Sequence, residues 1–159
     1  MIDDAVVHIL AVDPGLATGL AVLQREGPDL RLVDSAELGV LDAGSYMQGW
    51  LRTFAASPRE SWEVVAERFT ITAATAKNSQ APWSLKVLGI LDWLLWTTTG
   101  ADPGAAVVLQ GPAEAKRLIT NQLLRDSGIW HSGGAGHAND AIRHGAYRFA
   151  RLGWRTPWT

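Results

Sequence analysis

The chain has 159 residues, 47% of them hydrophobic, enough to bury the core of one ordinary domain without staples. It has no cysteine, which excludes a disulfide framework and any thiolate-held zinc or iron–sulfur site. A formal net charge of −2 excludes a protein that coats polyanions indiscriminately, because such affinity comes from phosphate neutralisation by Lys and Arg.

Residues 6–12 form an almost unbroken apolar run ending at Asp13, the pattern of a central strand covered on both faces, and Asp13-Pro14-Gly15 turns the chain. Residues 18–23 and 30–33 read as two further short strands on either side of the Gly27-Pro28-Asp29 break, which predicts a three-stranded meander. Tyr46, Met47, Trp50, Leu51 and Phe54 recur at helical spacing, so a helix is expected over 45–56, ended by Ser57-Pro58. The next strand, 62–69, has Val64, Val65 and Ala66 at its centre and Glu67 just beyond them. Residues 70–80 are polar and weakly patterned. A strongly apolar helix follows over 84–97, closed by Gly100. Its densest part, 87–96, is interrupted by Asp92 and falls far short of the roughly 20 residues needed to span a bilayer. Residues 105–109 read as a final strand, and Pro112 opens a helix where proline is best tolerated. Gly133-Gly134-Ala135-Gly136 then breaks the chain before a last helix over 137–152. Three strands, helix, strand, helix, strand and two helices, without repeat or linker, predict one mixed α/β domain over 1–159.

Charge is unevenly spread along this order. Residues 110–159 carry seven Lys and Arg against three Asp and Glu, a local charge of +4 that leaves −6 on the remainder. The C-terminal third is therefore the expected electropositive surface. Met1-Ile2-Asp3-Asp4 places acids where a secretory leader carries Lys or Arg, so a soluble, cytoplasmic protein is expected.

Four residues carry candidate chemistry. An aspartate ending a fully apolar strand is costly unless its charge is compensated, which makes Asp13 more informative than a surface acid. Taken alone it serves equally well as a turn residue before Pro-Gly. Glu67 repeats the pattern at the end of the second apolar strand, where a partner for Arg68 or a solvated strand end is the plain alternative, weakened because two acids now close two buried strands. His137 and Asp140 are three apart and share a face of the last helix. That face lies outside the apolar stripe of Ala138, Ala141, Ile142, Gly145, Phe149 and Leu152. Singly, each is an ordinary first-turn residue, with Asp140 favoured by the helix dipole. Together, three carboxylates and one imidazole suit Mg²⁺ or Mn²⁺ better than zinc. Such a set can hold two divalent ions, one activating water and one stabilising the leaving 3′ oxygen at phosphorus, with no protein nucleophile.

In sequence, Ile9-Leu10-Ala11-Val12-Asp13-Pro14-Gly15 followed by Thr18-Gly19-Leu20-Ala21-Val22 resembles the first hairpin of the RuvC family of Holliday-junction resolvases. Val65-Ala66-Glu67 is similar to that family's second catalytic strand. Ala76-Lys77-Asn78 and Ser84-Leu85-Lys86-Val87-Leu88-Gly89 resemble its following loop and long helix. Pro112-Ala113-Glu114-Ala115-Lys116 resembles the segment that carries a DNA-contacting lysine, and His137-Ala138-Asn139-Asp140-Ala141 its terminal acidic motif. The likeness runs from about Val7 to Ala150; the order and spacing of the motifs carry it.

The resemblance implies an RNase H-like α/β fold, a five-stranded mixed sheet flanked by helices. It implies Asp13, Glu67, His137 and Asp140 as catalytic metal ligands, and a homodimer acting on branched DNA, four-way junctions above all. Two sites related by a two-fold axis can nick matching strands, and the Trp-rich helix over 84–97 would serve as interface or as ordinary core. His137 stands where many relatives carry a further aspartate. Lys77, Lys116, Arg117, Arg148 and Arg151 are candidates for phosphate contacts; each alone is an ordinary surface cation. Phe69 is a candidate for aromatic contact with the junction and could equally be core. The excess of arginine over lysine and the compact chain fit a phage-borne member, working in a bacterial cell or infected host. Other readings stay open: a flap or general branched-DNA nuclease, a noncatalytic junction binder, and an actin-like ATPase, whose two-domain cleft this chain is too short to form.

Overall fold

The computed structural model describes residues 6–57, 60–75 and 81–153; Lys77 lies outside the described residues. The sheet comprises β1 (Val7–Asp13), β2 (Ala17–Glu26), β3 (Asp29–Gly39), β4 (Ser61–Glu67) and β5 (Val107–Gln110), in spatial order β3-β2-β1-β4-β5. The first three strands form the antiparallel meander, and β4 and β5 add in parallel on the other side of β1. The helices are α1 (Val40–Ala55), α2 (Ala81–Thr99), α3 (Pro103–Ala106), α4 (Pro112–Leu118), α5 (Asn121–Asp126) and α6 (His137–Arg151).

Every residue of β1 is buried, as its continuous apolar run requires of a strand flanked on both edges and both faces. Side chains alternate between the faces. Leu10, Val12, Leu20, Val22, Val64 and Ala66 pack under α1 and α2, against Met47, Leu51, Leu91 and Leu95. Ile9, Ala11, Ala21, Leu23 and Val65 pack under α6, against Ala141, Ile142, Ala146 and Phe149. The second layer is held very close. A Cβ on Gly145 would lie 2.5 Å from Leu23 Cδ1, so glycine at that position lets α6 settle onto β2.

The expected fold is the observed one, with elements extended or added. β2 and β3 run well beyond 18–23 and 30–33. Their backbone ladder continues through polar residues such as Glu37, where no hydrophobic alternation marks a strand. The register shift opposite Val22 and Leu23 leaves Val33 as the extra residue of a β-bulge. α1 begins at Val40 rather than 45, because Val40 and Ala43 extend its buried face. β4 stops at Glu67, so Arg68 and Phe69 lie past the strand predicted over 62–69. The strand predicted from 105 begins at Val107, because Asp102 caps a single turn, α3, through Oδ1 to the Gly104 N–H at 3.0 Å. Between β5 and α6 stand two helices rather than one. Thr120 Oγ1 accepts the Leu123 N–H at 3.2 Å and starts the second of them. Leu152, expected in the apolar stripe, is the C-cap and only partly buried. No helix among the described residues is long and apolar enough to cross a membrane.

Candidate active site

Parallel pairing of β1 and β4 in the register Val12↔Ala66 brings Asp13 and Glu67 side by side at the C-terminal ends of adjacent strands. Alternation then points both carboxylates to the α6 face, with Ala11 and Val65. Gln110 pairs with Glu67 at the end of β5. Beyond Asp13 the turn is braced by Thr18 Oγ1 donating to Gly15 O at 2.9 Å and Ser84 Oγ donating to Pro14 O at 2.8 Å.

The N-terminus of α6 reaches this strand end because two features admit it. Gly19 is the β2 residue directly opposite Asp13. A Cβ there would fall 1.9 Å from the His137 carbonyl oxygen, so only glycine lets the helix start lie on the strand. The loop before α6 turns through Gly133, Gly134 and Gly136, whose φ angles of 100°, 66° and 103° belong to the left-handed region that glycine tolerates. Gly136 has no side chain to cap the helix. A carboxylate from β3 takes that role: Glu37 accepts the backbone N–H groups of Ala135 (2.8 Å), Gly136 (3.1 Å) and His137 (3.0 Å). Burial would push the Glu37 carboxyl up, but the N–H donors of Ala135, His137 and Ala138 and the His137 charge outweigh it and hold it below the usual range.

The result brings three of the four expected ligands together. One candidate ligand atom from each of Asp13, His137 and Asp140 lies within 4.8 Å of the other two. His137 Nδ1 is 2.9 Å from Asp13 Oδ2. Asp140 accepts from Lys116 Nζ at 2.8 Å and from the Arg143 guanidinium, which also donates from Nε to Ile119 O at 3.0 Å. Glu67 is adjacent but outside this trio; its Oε2 is held 2.9 Å from His144 Nε2. Its charge still reaches the trio. Burial pushes the Asp13 carboxyl up to about 6, the Glu67 and Asp140 charges add to the rise, and His137 opposes it. Burial would lower the Lys116 ammonium, but its bond to Asp140 and the charges of Asp140, Glu67 and Asp13 raise it instead. Two carboxylates and an imidazole converge here with Glu67 beside them, and although Lys116 and Arg143 already hold Asp140, the buried Asp13 carboxyl gains most from an added charge, so the oxygen-rich set fits a hard divalent cation.

The other expected contacts are dispersed. Lys116 lies at the site, bonded to Asp140. Arg117 is exposed on α4. Arg148 is engaged by Glu63 through Nε at 2.7 Å and a second guanidinium nitrogen at 3.2 Å. It stands eight residues past Asp140, about 12 Å along the helix axis. Arg151 is exposed one turn further on. Phe69 is half-buried just past β4. Sequence reasoning missed Glu37, Gly19, Gln110, Arg143 and His144. Of these, Arg143 and His144 had a usable signal, standing three and four residues from Asp140 and therefore beside it on the helix.

A five-stranded mixed sheet in the order β3-β2-β1-β4-β5 with helices on both faces is the RNase H-like α/β fold that this chain shares with solved RuvC structures. Among solved structures, Thermus thermophilus RuvC in complex with Holliday junction substrate matches with a TM-score of 0.64 and 18% identity, over 92% of this chain and 96% of that one. A second Thermus thermophilus RuvC structure matches with a TM-score of 0.62 and 18% identity, over 92% and 97%. No family model matches the chain, and no curated protein matches it by sequence.

Proposed function

We propose that the chain is a divalent-metal-dependent endodeoxyribonuclease that resolves four-way DNA junctions by symmetric nicking as a homodimer. The observation that carries this reading is the convergence of Asp13, His137 and Asp140 within 4.8 Å, beside Glu67, on a fold shared with a RuvC solved on a Holliday junction.

In this reading Asp13, Glu67, His137 and Asp140 would hold two Mg²⁺ or Mn²⁺ ions, which would supply activation of water and charge stabilisation for in-line hydrolysis to 5′-phosphate and 3′-hydroxyl ends. Asp13 is the central ligand because it is the most enclosed and sits between Glu67 and His137. The His137 imidazole, 2.9 Å from Asp13, orients that carboxylate. Lys116, already drawn to Asp140, provides a cation at the rim where a scissile phosphate would approach. Arg117 and Arg151, exposed on α4 and at the end of α6, remain separate candidates for flanking phosphates, at a salt-dependent affinity. Support for the homodimer comes from α2, where Leu85, Trp93 and Trp96 are 46%, 61% and 63% exposed along one helical face.

The test is cleavage of synthetic four-way, flap, linear and RNA–DNA hybrid substrates with Mg²⁺ or Mn²⁺ and EDTA controls. Paired nicks in the four-way junction, absent with EDTA, are expected. Asp13→Asn should abolish cutting and spare junction binding. A fully active Asp13→Asn variant, or cleavage indifferent to EDTA, refutes the assignment.

A further inference from the structure

His144 has no exposed surface, yet both of its ring nitrogens are engaged: Nδ1 lies 2.9 Å from Gln110 Oε1 and Nε2 lies 2.9 Å from Glu67 Oε2. Gln110 and Glu67 are themselves register partners at the ends of β5 and β4. A single α6 side chain therefore crosslinks two strand ends at the rim of the candidate centre. Core packing alone does not select this arrangement, because an apolar ring of similar size fills the same space without polar groups to satisfy.

The proton arrangement at Glu67 follows from what each partner can do. An ionised carboxylate only accepts hydrogen bonds. If the Gln110 amide presents its oxygen, both ring nitrogens donate. If the amide is turned to present its N–H groups, Nδ1 accepts and Nε2 keeps the only ring proton. In either arrangement the Nε2 proton points at Glu67. Oε2 is thereby fixed, which leaves Oε1 outside the bond to the ring.

We propose that His144, itself oriented by Gln110, is a positioning residue that fixes the Glu67 carboxylate for cation binding, an inference resting on the nuclease reading above. Partners that hold a metal-binding carboxylate typically matter about 10–100-fold in metal affinity or activity.

The experiment combines calorimetric Mn²⁺ titration of the DNA-free protein with junction cleavage and with junction binding in EDTA. His144→Phe should weaken Mn²⁺ binding about 10–100-fold and slow cleavage, while junction affinity in EDTA stays unchanged. His144→Gln keeps an N–H donor and should recover part of the loss. Gln110→Leu should weaken Mn²⁺ binding less, and should add nothing in the His144→Phe background, because it acts through the ring. Wild-type Mn²⁺ affinity in His144→Phe, or fully additive losses from His144→Phe and Gln110→Leu, would overturn the proposal. Should His144→Phe not fold, Gln110→Leu decides, and unchanged Mn²⁺ affinity there overturns it equally. A wild-type protein that binds Mn²⁺ but cuts no branched DNA sinks the nuclease reading and leaves the positioning pair standing.

Discussion

Asp13 illustrates how a candidate ligand side chain works against the fold that holds it. In the unfolded chain its carboxyl titrates near 3.8, whereas burial and the Glu67 charge raise it to about 6 in the folded, metal-free protein. A group raised on folding stabilises the native state while it is protonated, below pH 4, and that contribution is lost as pH rises through 6. At pH 7.5 the ionised Asp13 therefore opposes folding by roughly 2–3 kcal/mol. Asp13→Asn should raise the melting temperature of EDTA-treated protein by several degrees at pH 7.5 and leave it nearly unchanged near pH 4. Mn²⁺ should stabilise the wild type and not the variant. Differential scanning fluorimetry at both pH values checks this, and an Asp13→Asn variant less stable at pH 7.5 contradicts the charge-crowding account. As candidates, Asp13 and Glu67 were legible as acids closing apolar strands and His137 and Asp140 as polar residues sharing a face off the apolar stripe, and three of the four do converge. Glu37 was not, since it sits in a strand with no alternation and acts on backbone groups nearly a hundred residues away. His144 carried a signal in its spacing from Asp140, but the sequence does not show that its partners would be Gln110 and Glu67 on two separate strands.

The central strand and the last helix were readable almost to the residue, since continuous burial in β1 and a sharp polar-to-apolar division in α6 leave strong marks. Short α3 and α5 left none, being set by the Asp102 and Thr120 caps rather than by an apolar face. The contact between β2 and α6 depends on a glycine whose role no sequence pattern announces. Gly19→Ala would drive a methyl group into the His137 carbonyl, so the helix start must lift away from Asp13. Overpacking of this kind costs about 1–3 kcal/mol, and the displacement matters more than the energy, because misplacing a reacting group by about 1 Å can slow chemistry about a hundredfold. Urea unfolding and cleavage rates measured together should show a modest stability loss beside a large rate loss. A folded Gly19→Ala variant with wild-type turnover would show that His137 need not sit against Asp13.

At the level of the whole molecule, the two layers are unequal. The α6 layer carries the candidate site, whereas the α1 and α2 layer presents Leu85, Trp93 and Trp96 outward. Gly89 lies among them, and a Cβ there would meet nothing within 4 Å. Scattered exposed apolar residues are ordinary; three on one helical face around a glycine form a surface on which a second copy could lie closely. Trp93→Glu should convert the proposed dimer to monomer in sedimentation velocity and separate the paired nicks into independent single nicks. A variant that remains dimeric places the interface elsewhere.

The β1–β4 pairing carries one more consequence. Asp13 and Glu67 come from chain segments separated by a hairpin, an edge strand and a helix, yet their facing is governed by parity alone. Adding one residue within β4 upstream of Glu67 would swing its carboxylate through the sheet into the greasy side beneath α1 and α2, whereas the same addition in the connection before Ser61 could be absorbed as slack. Drift in this lineage should therefore accumulate length changes between α1 and β4 and almost none inside the strand, a counting rule enforced by the pleat rather than by the chemistry of any one side chain.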